Sequence, residues 1–177
     1  MKTTVSNIIT DIKLSGDYNI SDADLDSLLV IGINSILARM QQWFMDEMLF
    51  DEIGAHDTFS TVASQEYIDI ATETIDFDQP IKLTERTNDN PIEIIPFTEY
   101  RERYTDPTAN SSSTPDVAAF FANRLYLGPT PSGIITLYLD YIKLLTKVTT
   151  ASTLPFEDKF DALVIAGAIE YLVKFLD

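Results

Sequence analysis

The chain holds a single histidine, His56, in the run Gly54-Ala55-His56-Asp57-Thr58-Phe59, with Ser60 next in line. Serine, histidine and aspartate are the types a nucleophilic triad uses: a hydroxyl that attacks, an imidazole that takes its proton, and a carboxylate that orients the imidazole. Here the three are neighbours in what reads as a polar loop, and adjacency in a loop does not make them converge on one reacting atom. No serine lies in a G-x-S-x-G elbow. His56 therefore reads as a solvated side chain, and no catalytic residue is assigned.

Carboxylates are the other chemical resource. Asp46, Glu47, Asp51 and Glu52 cluster where a long apolar-patterned segment ends. Negative side chains at a helix C-terminus oppose its dipole, so a cation there would be welcome. Their spacing puts the oxygens on different faces, however, and no D-x-D-x-D-G loop is present. No metal ligand is assigned. Residues 105–116, TDPTANSSSTPD, lack the glycines and lysine of a phosphate-binding loop, and no G-x-G-x-x-G occurs. No cofactor is assigned.

Composition narrows the classes further. Of 177 residues, 45% are hydrophobic and 11% aromatic, enough for a packed core in a chain of one-domain size. The absence of cysteine excludes disulfides and thiolate zinc sites. No apolar run reaches the roughly 20 residues that span a bilayer. The first seventeen residues, MKTTVSNIITDIKLSGD, lack the apolar stretch and small-residue cleavage site of a signal peptide, so none is expected. Asp plus Glu number 28 against 12 Lys plus Arg, a net charge of −16. Such a surface repels nucleic acid and anionic membrane, which argues against binding through phosphate neutralisation. Two readings stay open on charge alone: a well-solvated acidic surface, or a surface that lies near DNA without adhering to it.

The elements that would carry any site follow from periodicity. Val5, Ile8, Ile9 and Ile12 predict a first helix at about 4–14. Ser21 reads as an N-cap, with Asp22 and Asp24 in the first turn. Leu25, Leu28, Leu29, Ile36, Met40, Trp43 and Phe44 then share a stripe, along which Gly32 and Ile33 lie. The spacing predicts a helix over 21–49, about 40 Å long at 1.5 Å per residue. A second apolar set, Val30, Ile31, Leu37 and Met45, makes this helix apolar on more than one side, so it is either central to the monomer or meets another subunit. Beyond Gly54 the pattern turns β-rich, over 65–145. Alternation marks strands at 66–70, 74–77, 81–84 and 92–95, and Pro96 starts a helix of one to two turns. Residues 105–116 have no apolar anchor and predict a mobile, exposed loop. Strands at 117–122 and 124–127 turn near Asn123. The corner 129–133, Pro-Thr-Pro-Ser-Gly, leads into the longest strand, 134–144. A threonine-rich link, 147–155, precedes a closing helix at 156–176, where Phe160, Leu163, Val164, Gly167, Tyr171 and Phe175 recur at three and four. Helices flank a run of strands, which predicts an α+β fold in one domain over 1–177. The first half of the closing helix reads as core, while its end, YLVKFLD, is open to either core packing or docking on a partner.

One ordered set of short motifs stands out. It comprises Leu127-Gly128-Pro129-Thr130-Pro131, Tyr138-Leu139-Asp140-Tyr141, Leu154-Pro155-Phe156 and Ala168-Ile169-Glu170-Tyr171-Leu172, preceded by SDADLDSLLVIGINSILARM with its Ile33-Asn34 step. In this order, from about 21 to 175, the chain resembles the head-to-tail connector adaptor proteins of tailed bacteriophages. Gly128 is a departure, because the resemblance leads one to expect tryptophan or tyrosine just before the P-x-P corner. The resemblance implies a structural virion protein made in the host cytoplasm and resident at the capsid–tail junction. It implies a homo-oligomeric ring, commonly of twelve copies, that attaches below the portal protein, extends the DNA channel and offers a platform to the next neck or tail protein. DNA would pass the acidic lumen without specific binding, no membrane would be involved, and no reaction would be catalysed. Within that frame Tyr171, Phe175 and Leu176 are candidates for a portal contact, and Asp106, Asn110, Ser111, Ser112 and Ser113 for a partner-contacting loop. A stopper or tail-completion role is the alternative within the neck. A small acidic enzyme or ligand-binding domain is the alternative outside it, and would require a deep polar pocket with converging, pKa-shifted acids.

Overall fold

The computed structural model describes residues 2–16, 18, 20–48, 50–70, 76–106, 111–112 and 114–176. The chain forms two compact units, one of Met1–Ile53 with Leu145–Asp177 and one of Gly54–Leu144. The class is α+β, with N-terminal helices, a β-rich middle and a C-terminal helix.

The first unit is helical. α1 (Val5–Ser15) is capped by the Thr4 hydroxyl, which accepts the Asn7 amide, and it buries Val5, Ile8, Ile9 and Ile12. α2 (Asp22–Asp46) is capped by Ser21, whose Oγ accepts the Asp24 amide at 3.3 Å. It ends before residue 49: Met48 turns to a φ of 56°, and its amide reaches back only to the Met45 carbonyl. Its core face is Leu25, Leu29, Gly32, Ile33, Ile36, Leu37, Met40 and Phe44. Trp43, expected on that face, is 43% exposed, and of the second apolar set only Leu37 is buried. A short turn of helix, α3 (Phe50–Ile53), follows. The closing helix begins as a 3-10 turn, Asp158–Phe160, and continues as an α-helix at Asp161–Leu176, whose buried positions are Val164, Ala168 and Leu172. Leu163 is exposed, so the core stripe runs in steps of four and not through the expected mixture of three and four. Two glycines bring this helix close to α2. A Cβ on Gly32 would lie 3.3 Å from the Ala168 Cα, and one on Gly167 would lie 2.6 Å from Ile36 Cγ1. Phe44 closes the same core, meeting Phe156 and Phe160 edge-on at 4.9 and 5.1 Å between centroids.

The extended link to the closing helix is held by polar side chains. Asn34 Oδ1 accepts the Val148 amide at 2.8 Å, and its Nδ2 donates to the Val148 carbonyl at 3.0 Å. Gln41 Oε1 accepts the Leu145 amide at 3.2 Å. A mid-helix asparagine has little reason to be there for helix propensity; its work is to act as a strand partner for the link.

The second unit is a seven-stranded sheet. In chain order its strands are β1 (Gly54–Ser60), β2 (Tyr67–Asp69), β3 (Phe77–Glu85), β4 (Asn90–Ile94), β6 (Val117–Phe121), β7 (Arg124–Gly128) and β9 (Thr136–Lys143). Their spatial order is β1-β9-β3-β4-β6-β7-β2, antiparallel except for the parallel pair β4–β6. The helix α4 (Phe97–Arg103) follows β4, and two short strands, β5 (Ser111–Ser112) and β8 (Thr130–Pro131), pair in parallel apart from the large sheet. With α4 counted, the closing helix is α5. Phe59, Leu83, Ile92, Leu125, Leu127, Leu137, Leu139 and Tyr141 form the main core of the sheet. Tyr100 on α4 anchors a second cluster with Ile95, Val117, Ala119 and Tyr126.

The segment around His56 is a correction. It is not a loop but the full length of β1, paired with β9 from Gly54↔Ile142 to Ser60↔Thr136. Ala55, Asp57 and Phe59 share the face of Tyr141, Leu139 and Leu137, so an aspartate occupies an inward position and breaks the alternation that identifies a strand. The inward carboxylate is satisfied by the Tyr141 hydroxyl, which donates to Asp57 Oδ2 at 3.1 Å.

The proline-rich corner has a definite architecture. Gly128–Pro129 is a cis peptide, Thr130–Pro131 forms β8, and β9 starts at Thr136, leaving Ile134 exposed. Buried Thr61 ties the corner down. Its Oγ1 donates to the Gly133 carbonyl at 3.0 Å and accepts the Ile135 amide at 2.9 Å, while its own amide reaches the Ile135 carbonyl.

Candidate interaction surfaces

The triad residues are separated by the strand that carries them. Successive side chains on β1 point to opposite faces, so His56 and Asp57 diverge. His56 stacks on Tyr138 at 5.4 Å between centroids, and the Arg86 guanidinium lies 5.1 Å from the same ring. Asp57 faces inward to Tyr141, and Ser60 ends the strand. No nucleophile–base–orienter chain exists among these three.

Two members of the acidic cluster at the end of α2 have separate partners. Glu52 pairs with Lys159, and Asp46 Oδ1 accepts from Gln42 Nε2 at 2.8 Å. Among the described residues no group of three or more His, Cys, Asp or Glu side chains is placed to hold a metal ion.

Among the described residues two carboxyls depart from ordinary behaviour, and both are held in the ionised form. Hydrogen bonding from Thr87 is the main influence that keeps the Glu85 carboxyl below the usual range, against the opposing effect of burial. Its oxygens accept the amides of Thr87 at 2.6 Å and Asn88 at 3.0 Å, which fastens the β3–β4 turn. The hydrogen bond from Lys174, then its charge and that of Arg39, keep Glu170 low. Neither is poised for proton transfer near neutrality. Burial, followed by nearby carboxylates, raises the phenols of Tyr100 and Tyr141, so both remain neutral donors: Tyr100 to the Leu127 carbonyl, Tyr141 to Asp57 and Asp76.

The end of α5 differs from the rest of that helix. Leu172 is fully buried, whereas Val173, Phe175 and Leu176 are 51%, 61% and 46% exposed. Tyr171 is half-buried beside Gly32 and lines a groove of about 100 Å³ with Ser35, Ile36, Arg39, Glu170 and Lys174. Two of the three residues nominated there, Phe175 and Leu176, thus face solvent, and Val173 joins them. Reading the helix through steps of three and four from Phe160 left Val173 unnoticed, because the true core line is 164, 168, 172.

Of the nominated loop residues, Asp106 and Ser111 are exposed and Ser112 is partly so. Ser111 and Ser112 pair with Thr130 and Pro131, and the Ser132 amide donates to the Ser112 carbonyl at 2.7 Å. Asn110 and Ser113 lie outside the described residues. The loop's second half is therefore joined to the proline corner. Beside that corner, the Tyr104 ring fills the space a Cβ on Gly128 would need, with ring carbons 2.5–2.9 Å from that position, and its hydroxyl donates to Asp116 Oδ1 at 3.0 Å. No helix among the described residues is long and apolar enough to cross a membrane.

A family model described as SU10 adaptor protein matches residues 3–177. No curated protein matches the chain.

Proposed function

The chain belongs to the SU10 adaptor protein family, a phage head-to-tail adaptor family, and from that premise we propose that it assembles as a ring beneath the portal. In this reading the ring, of twelve copies, extends the DNA channel and seats the next neck or tail protein. It is a structural part of the virion and catalyses no reaction. The observation that carries the reading is the match over 3–177, nearly the whole chain. Two features of the molecule support it. The net charge of −16 suits a lumen along which DNA slides without adhering. The exposed Val173, Phe175 and Leu176 give each subunit an apolar tip on a helix that is otherwise anchored by Val164, Ala168 and Leu172. Repeated around a ring, modest contacts of this kind sum to a strong joint.

The portal contact is tested by Val173→Asp, Phe175→Ser and Leu176→Ser made together. Removing residues 171–177 would be a poorer probe, because it also deletes the buried Leu172. The triple variant should keep its helical circular dichroism and lose co-purification with the portal protein. Retained binding would move the contact elsewhere. Electron microscopy of the unmodified chain with its portal should show a closed ring, and a strict monomer that never joins the portal would refute the assembly.

A further inference from the structure

Residues 2–5 run antiparallel to residues 152–155, immediately before the 3-10 turn that starts α5. The Leu154 amide donates to the Thr3 carbonyl at 2.8 Å, the Val5 amide to the Ser152 carbonyl at 2.9 Å, and Thr4 bridges Thr153. Lys2 Nζ donates to the Pro155 carbonyl at 2.5 Å, and the Thr3 hydroxyl to Asp161 Oδ2 at 2.5 Å. We propose that this N-terminal segment is a releasable strap that fixes the start of the closing helix. The inference does not depend on the docking role given to that helix's far end.

Two observations make it a strap and not simply part of the core. First, Lys2, Thr3 and Thr4 contribute no large apolar side chain. Hydrogen bonds hold them, whereas Val5 behind them and Leu154 and Phe156 across from them are buried. Second, the closed state leaves Asp161 half-satisfied: Oδ2 has the Thr3 hydroxyl, but Oδ1 is buried with no hydrogen-bond partner among the described residues. A buried acceptor without a donor is costly, and opening the strap returns both oxygens to water. That gain offsets part of the loss of the strap's own bonds, so opening requires less than unfolding the unit. On release the turn at Asp158–Phe160 keeps the contact of Phe160 with Phe44 and the Lys159–Glu52 pair, and Val164, Ala168 and Leu172 keep the helix packed, so the change is confined to residues 2–5, residues 152–155 and the Asp161 carboxylate.

Amide hydrogen exchange on the full chain tests this, comparing wild type, Thr3→Ser, Thr3→Val and a form lacking residues 1–4. Wild-type Leu154 should exchange faster than Leu139 in β9, because the strap opens without global unfolding. Thr3→Val, which removes the hydroxyl donor to Asp161 Oδ2, should accelerate exchange at Leu154 by about tenfold. The deletion should accelerate it further. Thr3→Ser should stay close to wild type, and amides of β9 and of Ala168 and Leu172 should not change. Leu154 exchanging no faster than Leu139 in wild type would overturn the proposal. So would indifference of Leu154 to Thr3→Val, or acceleration of equal size in β9. The Thr3→Val and Thr3→Ser pair decides the matter if the deletion fails to fold.

Discussion

Gly167 offers a quantitative test of how the helical unit is packed. In an exposed helix interior, Gly→Ala is stabilising by about 1 kcal/mol, since alanine loses less backbone entropy. At Gly167 the added methyl would sit 2.6 and 2.7 Å from Ile36 Cγ1 and Cδ1 and 2.9 Å from Ile36 Cβ. Ile36 is buried, so Cγ1 and Cδ1 have little room to rotate away and Cβ is fixed to the backbone of α2; the helices must part. Overpacking of this kind costs about 1–3 kcal/mol. Set against the propensity gain, Gly167→Ala should destabilise by about 0–2 kcal/mol, a change of sign relative to an ordinary helical glycine. For a chain of this size each kcal/mol is about 2–4 °C in Tm.

The decisive comparison is a double-mutant cycle followed by circular dichroism in urea. Ile36→Ala is itself costly, by about 2–5 kcal/mol, because Ile36 is buried. It also removes two of the three close contacts. In that background only the 2.9 Å contact with Cβ remains, so Gly167→Ala should cost less than in wild type, giving a coupling of about 1–2 kcal/mol between the positions. If Gly167→Ala raises the urea midpoint equally in both backgrounds, the close approach of α2 and α5 at this point is wrong.

Three further outcomes are expected. Thr61→Val should cost about 1–3 kcal/mol in urea melts, since it strips a buried hydroxyl that serves both the Gly133 carbonyl and the Ile135 amide; a cost near zero would mean the proline corner is held by other contacts. Glu85→Gln should destabilise the chain near neutrality. Because the folded Glu85 pKa is lowered, chiefly by the Thr87 hydrogen bond, the carboxylate's contribution is present above the usual carboxylate range and is lost as pH falls through the lowered value. The gap between wild type and Glu85→Gln should therefore close on acidification, and a gap that widened would refute the assignment. Gly128→Ala should expel the Tyr104 ring and break its bond to Asp116, and Tyr104→Ala should relieve most of that cost; equal damage from Gly128→Ala in both backgrounds would show that the ring is not what the new methyl meets.

The helices were legible because burial largely follows periodicity: Val5, Ile8, Ile9 and Ile12 in α1, and Leu25, Leu29, Ile33, Ile36, Met40 and Phe44 in α2, do what their spacing predicts. Errors arose where one polar residue carries a tertiary partner that lies far along the chain. Asp57 hid β1, because its inward position depends on Tyr141, which no local pattern reveals. Asn34 sits inside α2, and nothing near it in sequence shows that its partner is Val148. Glu85 is a local case: it is buried at the end of β3, and the turn directly after it supplies its donors. The exposed tip of α5 was partly legible. Phe175 and Leu176 are large apolar groups near a helix end, but separating them from Leu172 required the true helix face, and that is set by the glycines opposing Ile36 and Ala168.

Gly128 shows the same point from the other side. The resemblance to the connector adaptors leads one to expect an aromatic residue before the P-x-P corner, where this chain has glycine. In space there is no loss: the ring arrives from Tyr104, just beyond α4, and lies where a side chain on residue 128 would begin. The glycine and the tyrosine are therefore one packing solution divided between two segments. Tyr104 is itself tied to Asp116, the residue leading into β6, whose amide donates to the Gly128 carbonyl at 3.0 Å. The corner, the small helix and the start of β6 thus hold one another in place, and the segment between α4 and β6 is fastened at both ends to the same point.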